Sequence, residues 1–256
     1  MGKVYLVGAG PGAADLITLR GAELLGRAEV VFHDALVQPE LLALAREAKL
    51  VAVGKRCSRI STDQRFINRN LIDAARRHDV VVRLKGGDPM LFGRAYEEIA
   101  ALEAAGVAYE IVPGVTSALA ASAEVGISLT QRGLSRSVVF ATPRIGEGEE
   151  LSDWAPAVAA ADTAVLYMAL GRAAEIAGIL ELHGMAPTTP VVLVENASLP
   201  ESRRFGSTLR GLKNGAAHSM TGPALMLLGE VFKQRAADLM EAELTPAQAR
   251  YAVPMG

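Results

Sequence analysis

Short apolar runs rich in β-branched residues recur through the first half of this 256-residue chain, and helix-compatible stretches fall between them. Residues 4–7, 29–33, 50–53, 80–84 and 109–112 read as strands, while 18–25, 40–45, 63–76 and 93–104 carry helical spacing. Strands that alternate with helices are not joined by tight hairpins, so this pattern dictates a mostly parallel sheet covered by helices. The fold class is α/β.

The alternation breaks at Pro113-Gly114-Val115-Thr116-Ser117, and an alanine-rich helical segment follows at 118–123. This break marks a hinge, with an N-terminal α/β domain over 1–114 and a C-terminal α/β domain over 115–233. In the second domain strands are expected at 137–141, 163–168, 190–194, 203–206 and 224–229, and helices at 154–160, 173–182 and 208–215. Their closer spacing implies mixed strand directions. Residues 234–256 read as a C-terminal tail, helix-prone over 234–242, that is exposed or packs on a partner.

Composition excludes several classes of function. Lys and Arg number 26 against 28 Asp and Glu, a net charge of −2, which argues against broad affinity for nucleic acid. The single cysteine, Cys57, cannot form an internal disulfide or a cysteine metal cluster. The four histidines, His33, His78, His183 and His218, lack metal-ligand spacing, so no metal is expected. Met1-Gly2-Lys3 leads directly into the first strand without the pattern of a secretory signal, and no apolar run approaches the roughly 20 residues of a membrane span. A soluble, cytoplasmic protein is expected.

Two glycine-bearing strand ends are the candidates for chemistry. Lys85-Gly86-Gly87-Asp88-Pro89-Met90-Leu91-Phe92-Gly93-Arg94 joins a strand to a helix, with Asp88 suited to cap it and Pro89 to occupy its first position. Ligands of open α/β sheets collect at such carboxyl ends. Gly8-Ala9-Gly10-Pro11-Gly12 follows the first strand, and Asp34 ends the second, at the distance of a dinucleotide-binding acid. Against a dinucleotide site, Pro11 lacks an N–H and the spacing is GxGxG rather than GxGxxG. The turn fits either a tight strand-to-helix connection or the close approach of a flat ligand. Lys55, Arg56, Arg59, Arg94, Arg132, Arg136 and Arg144 fall mostly in loops at strand ends, as a polyanionic small molecule would require. Each could equally pair locally, Arg94 with Glu97 for example.

VYLVGAGPG, VGKR, VVRLKGGDPMLFGR with Glu97, VPGVTSALAA, ISLTQRG and TGPALMLLGEV stand in order from Val4 to Val231. Together they resemble the tetrapyrrole methylases, and within them the uroporphyrinogen-III C-methyltransferases. The resemblance implies two α/β domains with S-adenosyl-L-methionine in the cleft between them, and a homodimer. It also implies two successive methylations of uroporphyrinogen III, at C2 and C7, giving precorrin-2 and S-adenosyl-L-homocysteine. A relative acting on another tetrapyrrole position is the nearest alternative, and a dinucleotide-dependent oxidoreductase a more distant one.

Carried over residue by residue, the resemblance implies cofactor contacts at Pro11, Gly86, Gly87, Asp88, Thr116, Ser117, Met168, Ala197 and Ala224. It places Asp34, Arg94, Glu97 and Arg132 on the substrate side as catalytic residues. A guanidinium almost never gives up its proton, so Arg94 is read as an anchor for a substrate carboxylate. The chain departs from the family pattern at Ile60, Tyr96, Gln131 and Thr142-Pro143-Arg144. These changes bear on the substrate side.

Overall fold

The computed structural model describes residues 1–53, 64–144, 153–216 and 219–244. Lys55, Arg56, Cys57, Arg59, Ile60 and His218 lie outside them. The chain divides into two compact units, Met1–Ala120 and Ala121–Gly256.

The first unit holds β1 (Lys3–Gly8), α1 (Leu19–Arg27), β2 (Val30–His33), α2 (Pro39–Leu42), β3 (Lys49–Ala52), α3 (Gln64–Ala75), β4 (Val80–Lys85), α4 (Ala95–Ala104) and β5 (Ala108–Val112). Its five strands run in the order β3-β2-β4-β1-β5, every pairing parallel, as the alternation requires. Side chains alternate between the two faces. Val4, Leu6, Val30, Phe32 and Val81 meet Ile67 and Leu71 of α3 and Leu102 of α4. Val7, Val31, Val82 and Leu84 meet Leu24, Leu25 and Leu41 on the other face. Thr18 caps α1, its Oγ1 accepting from Gly21 N at 3.2 Å.

The second unit contains β6 (Val138–Ala141), α6 (Trp154–Ala160), β7 (Thr163–Tyr167), α7 (Ala173–Leu182), β8 (Pro190–Glu195), β9 (Arg203–Thr208), α8 (Leu209–Lys213), β10 (Ala224–Gly229) and α9 (Lys233–Leu244). The helix α5 (Ser117–Val125) carries the division between the units. Strand order is β6-β7-β10-β8-β9, with β6 parallel to β7 and the other pairings antiparallel. Val158, Ile176, Leu180, Leu209 and Leu212 cover one face of the sheet through Leu166, Leu193 and Met226.

The tail expectation fails for α9, which lies on β9 and β8 of its own unit. Ala236 is buried there. A methyl at Gly206 would stand 2.2 Å from the Ala236 carbonyl oxygen, so a glycine notch seats this helix. Small residues at a close approach leave no strong apolar stripe to read. Residues 245–256 lie outside the described residues.

Candidate active site

The loops leaving the adjacent strands β4 and β1 are joined through their backbones, and the loop leaving β5 packs against both. Gly10 and Gly87 exchange hydrogen bonds, Gly87 N to Gly10 O at 2.7 Å and Gly10 N to Gly87 O at 3.2 Å. Ala9 N donates to Lys85 O at 2.7 Å. A methyl at Gly114 would stand 2.3 Å from Gly87 O and 2.8 Å from Gly8 Cα, so glycine at position 114 is required by packing. Gly86 differs: its φ is not positive, and a methyl there would meet no atom within 4 Å. Among the described residues nothing demands glycine at 86. Glycine there leaves one side of the backbone open. Pro11, Gly86, Gly87, Asp88 and Thr116 lie on these three loops, and Ser117 opens α5 directly after the third.

Asp88 corrects one expectation. The helix α4 begins at Ala95, so Asp88 does not cap it and Pro89 is not in it. Asp88 instead accepts from Met90 N at 2.8 Å through Oδ1 and from Gly114 N at 2.9 Å through Oδ2, clasping the β4 and β5 loops together. The segment 89–94 makes a further turn before the helix, in which Phe92 (φ 52°) and Arg94 (φ 56°) are left-handed. Strain of this kind in residues with side chains clusters at functional sites.

On the α3/α4 face of the sheet lies a buried charge network. Alternation places Arg83 and Lys85 on the same face as Val81, where only apolar partners would be expected. Arg83 is 3% exposed. Its Nε donates to Glu98 Oε1 at 2.9 Å, its Nη1 to Leu84 O at 3.1 Å and its Nη2 to Asp34 Oδ1 at 2.5 Å. Lys85 Nζ stands 3.0 Å from Glu98 Oε2, an ion pair outside good hydrogen-bond angles, and Gln64 Nε2 donates to Glu98 Oε1 at 3.2 Å. Glu98 itself is fully buried. Two cations and two carboxylates balance, which is how buried charge is tolerated. Burial pulls the Arg83 guanidinium down, yet Asp34 and Glu98 outweigh it and hold its pKa above the ordinary value. For Lys85 burial wins, aided by the neighbouring Arg83 charge, and its pKa is lowered.

Arg94 and Glu97 form a two-pronged ion pair at the solvent surface, with Nε to Oε1 at 2.7 Å and Nη2 to Oε2 at 2.8 Å. Asn68 Nδ2 donates to Glu97 O at 3.0 Å, and Glu97 directly precedes Glu98. Hydrogen bonds through Arg83, Glu98, Gln64 and Asn68 link Asp34 to the backbone of Glu97, the partner of Arg94, within the first unit. Arg132 lies in the second unit, exposed at the tip of a turn closed by Gln131 N to Ser135 O at 2.9 Å and Ser135 N to Gln131 O at 2.8 Å.

Within the second unit, Met168 and Ala224 share a cavity of about 550 Å³, also lined by Leu170, Met220, Gly222 and Pro223. Met168 is left-handed, with φ 54°. Arg144 Nη1 stands 3.6 Å from its Sδ. Ala197 does not line this cavity; it is buried between Asn196 and Ser198, both with positive φ.

The residues missed from sequence are Arg83, Lys85 and Glu98. Their signal was present: two cations two positions apart in an otherwise apolar central strand need a buried partner. Glu98 lies on the same stripe of α4 as Ala95 and Leu102, both buried. The dinucleotide reading fails on geometry. Residues 9–18 intervene between β1 and α1, so the glycine turn does not open the helix, and Asp34 is engaged by Arg83. Among the described residues no group of three or more His, Cys, Asp or Glu could hold a metal ion, and no helix is long and apolar enough to cross a membrane.

The family model of the Tetrapyrrole (Corrin/Porphyrin) Methylases matches residues 3–213. The siroheme synthase of Chromobacterium violaceum is 45% identical over 232 residues, which are 90% of this chain and 49% of that protein. The chain spans about half the length of the curated relatives it matches. Uroporphyrin III C-methyl transferase from Thermus thermophilus, in its native form, superposes with a TM-score of 0.81 at 43% identity, covering 91% of this chain and all of that one. The Thermus enzyme complexed with S-adenyl homocysteine gives a TM-score of 0.80 at 42% identity, over 91% of this chain and 94% of that one.

Proposed function

Because the chain belongs to the tetrapyrrole (corrin/porphyrin) methylases, we propose that it is an S-adenosylmethionine-dependent C-methyltransferase acting on uroporphyrinogen III at C2 and C7 to give precorrin-2. The observation that carries this reading is the likeness to the Thermus methyltransferase along the whole of that chain. Precorrin-2 would then feed sirohaem or cobalamin formation.

The residues present suit the methyl donor. Gly86 leaves the backbone open on one side, Gly87, Asp88, Pro11 and Thr116 stand on the joined loops, and Ser117 opens α5 next to them. Met168, Ala197 and Ala224 are the proposed contacts from the second unit. When bound, S-adenosylmethionine supplies an electrophilic methyl group on a sulfonium sulfur. The chain's own task is then to position the acceptor, since an electron-rich pyrrole carbon needs alignment more than activation. Arg94 and Arg132 are proposed to hold carboxylates of the acceptor, each charge-assisted bond contributing about 1.5–3 kcal/mol when well formed. Glu97 orients Arg94, and Asp34 offers a carboxylate fixed from behind by Arg83. We further propose action as a homodimer in the cytoplasm, checked by sedimentation of the purified protein and by cell fractionation.

Purified protein given S-adenosylmethionine and enzymatically generated uroporphyrinogen III should release a dimethylated tetrapyrrole, read by mass spectrometry. Absence of that product overturns the proposal. A second reading, methylation at another ring position, is favoured by Tyr96, which stands 82% exposed between Arg94 and Glu97 in sequence. NMR of product made from a labelled methyl donor separates the two.

A further inference from the structure

Glu195 ends β8 almost fully buried, yet one of its carboxylate oxygens is bonded to the edge of the second unit's cavity. Its Oε1 accepts from Thr221 N at 2.8 Å and from Gly222 N. Its Oε2 accepts from Arg203 Nε at 2.6 Å and pairs with Arg203 Nη2, which also donates to Ser219 O at 3.0 Å. Thr221 and Gly222 both line the cavity. The next backbone turn is tied to the same strand end, because Asn196 N donates to Pro223 O at 2.9 Å and Ala224 pairs with Glu195 in the sheet. The contact is close-fitting: a methyl at Gly222 would stand 3.0 Å from both Glu195 Oε1 and Asn196 Oδ1.

We infer that Glu195 is a positioning residue for the methyl donor, holding the 221–223 wall of this cavity in its binding shape while Arg203 neutralises it from behind. The inference rests on the methyl-donor reading of the cavity. Four donors converge on two oxygens, so only a carboxylate serves all of them; a carboxamide presents an NH2 to one pair. Burial alone would push this carboxyl up, but Gly222 N, Arg203 and Thr221 N together hold it below the ordinary carboxylate value.

The test is calorimetric titration of adenosylhomocysteine into the wild-type protein, Glu195→Gln, Gly222→Ala and the double variant. Each single variant should bind at least about tenfold more weakly, and the double no more weakly than the worse single, because both disturb one contact. In turnover, Glu195→Gln should raise the KM for S-adenosylmethionine and leave kcat at saturating donor and the KM for the tetrapyrrole within about twofold. A folded Glu195→Gln that binds within about twofold of wild type overturns the inference. Should that variant fail to fold, unchanged binding by Gly222→Ala overturns it equally. Wild-type protein that binds no adenosylhomocysteine overturns the methyl-donor reading and this inference with it, an outcome distinct from unchanged variants.

Discussion

Arg83 Nη2 donates to Asp34 Oδ1 at 2.5 Å, joining the ends of β4 and β2 through a guanidinium that is 3% exposed. Asp34 therefore projects from a fixed base, and the fixing cation is inside the protein. Arg83→Met removes that cation and leaves Glu98 paired only by Lys85. Stripping one partner from a buried pair costs about 3–5 kcal/mol, which urea unfolding should register. A loss under about 1 kcal/mol would mean that the network is not coupled to folding. Asp34→Asn, at a half-exposed site, should instead keep the fold and the affinity for adenosylhomocysteine while losing turnover.

The network also explains what the sequence could not disclose. Period-two alternation and helix spacing lead directly to the parallel sheet, because burial of Val81, Val82 and Leu84 leaves few other solutions. Motif order likewise leads to the loops at 9–12, 86–94 and 113–116. Partnership does not follow from spacing. Glu98 reaches Arg83 and Lys85 only because α4 packs over β4, and Asp88 bonds Gly114 only because β5 and β4 flank β1. Asp88 next to a glycine pair reads as a helix cap until the extra turn at 89–94 separates it from α4.

Lys85 makes a pH-dependent statement that can be checked. Its pKa is lowered by burial and by Arg83, from an ordinary value of 10.5. Between the lowered value and 10.5 the unfolded chain holds a proton at this site that the folded chain has released. Folding is therefore favoured as pH rises through that window, and the charged lysine is least well accommodated below it. Through this window Lys85→Met should change stability by an amount that depends on pH, with wild type gaining on the variant as pH increases. Lys3 and Tyr109, whose pKa values are raised by their glutamate partners, are common to both proteins and cancel in the difference. A pH-independent difference in unfolding free energy from pH 7 to 10.5 would contradict the burial of an ionisable Lys85.

The glycines of the joined loops separate into two kinds. Gly114→Ala forces a methyl against Gly87 O and should destabilise by about 1–3 kcal/mol through overpacking. Gly86→Ala meets nothing and should leave the melting temperature unchanged or slightly higher, as less freedom is lost from the unfolded chain. Its binding of adenosylhomocysteine should nevertheless fall. A Gly86→Ala protein of unaltered stability and unaltered affinity would remove this loop from the cofactor site.

Arg94 gives the sharpest division between the two reactants. The residue is left-handed, and alanine there inherits the same backbone strain, so Arg94→Ala isolates the guanidinium rather than the turn. More than half of the side chain is exposed and its partner Glu97 is also at the surface, so stability should move by less than about 1 kcal/mol. If the guanidinium holds an acceptor carboxylate, turnover should be lost while adenosylhomocysteine binds with wild-type affinity. Equal losses in both would place Arg94 on the cofactor's side of the loop. Arg94→Lys sharpens the outcome, because an ammonium restores charge but not the fork that Glu97 grips at 2.7 and 2.8 Å. Partial rescue by lysine would assign the role to charge, and no rescue would assign it to the geometry of the Arg94–Glu97 pair.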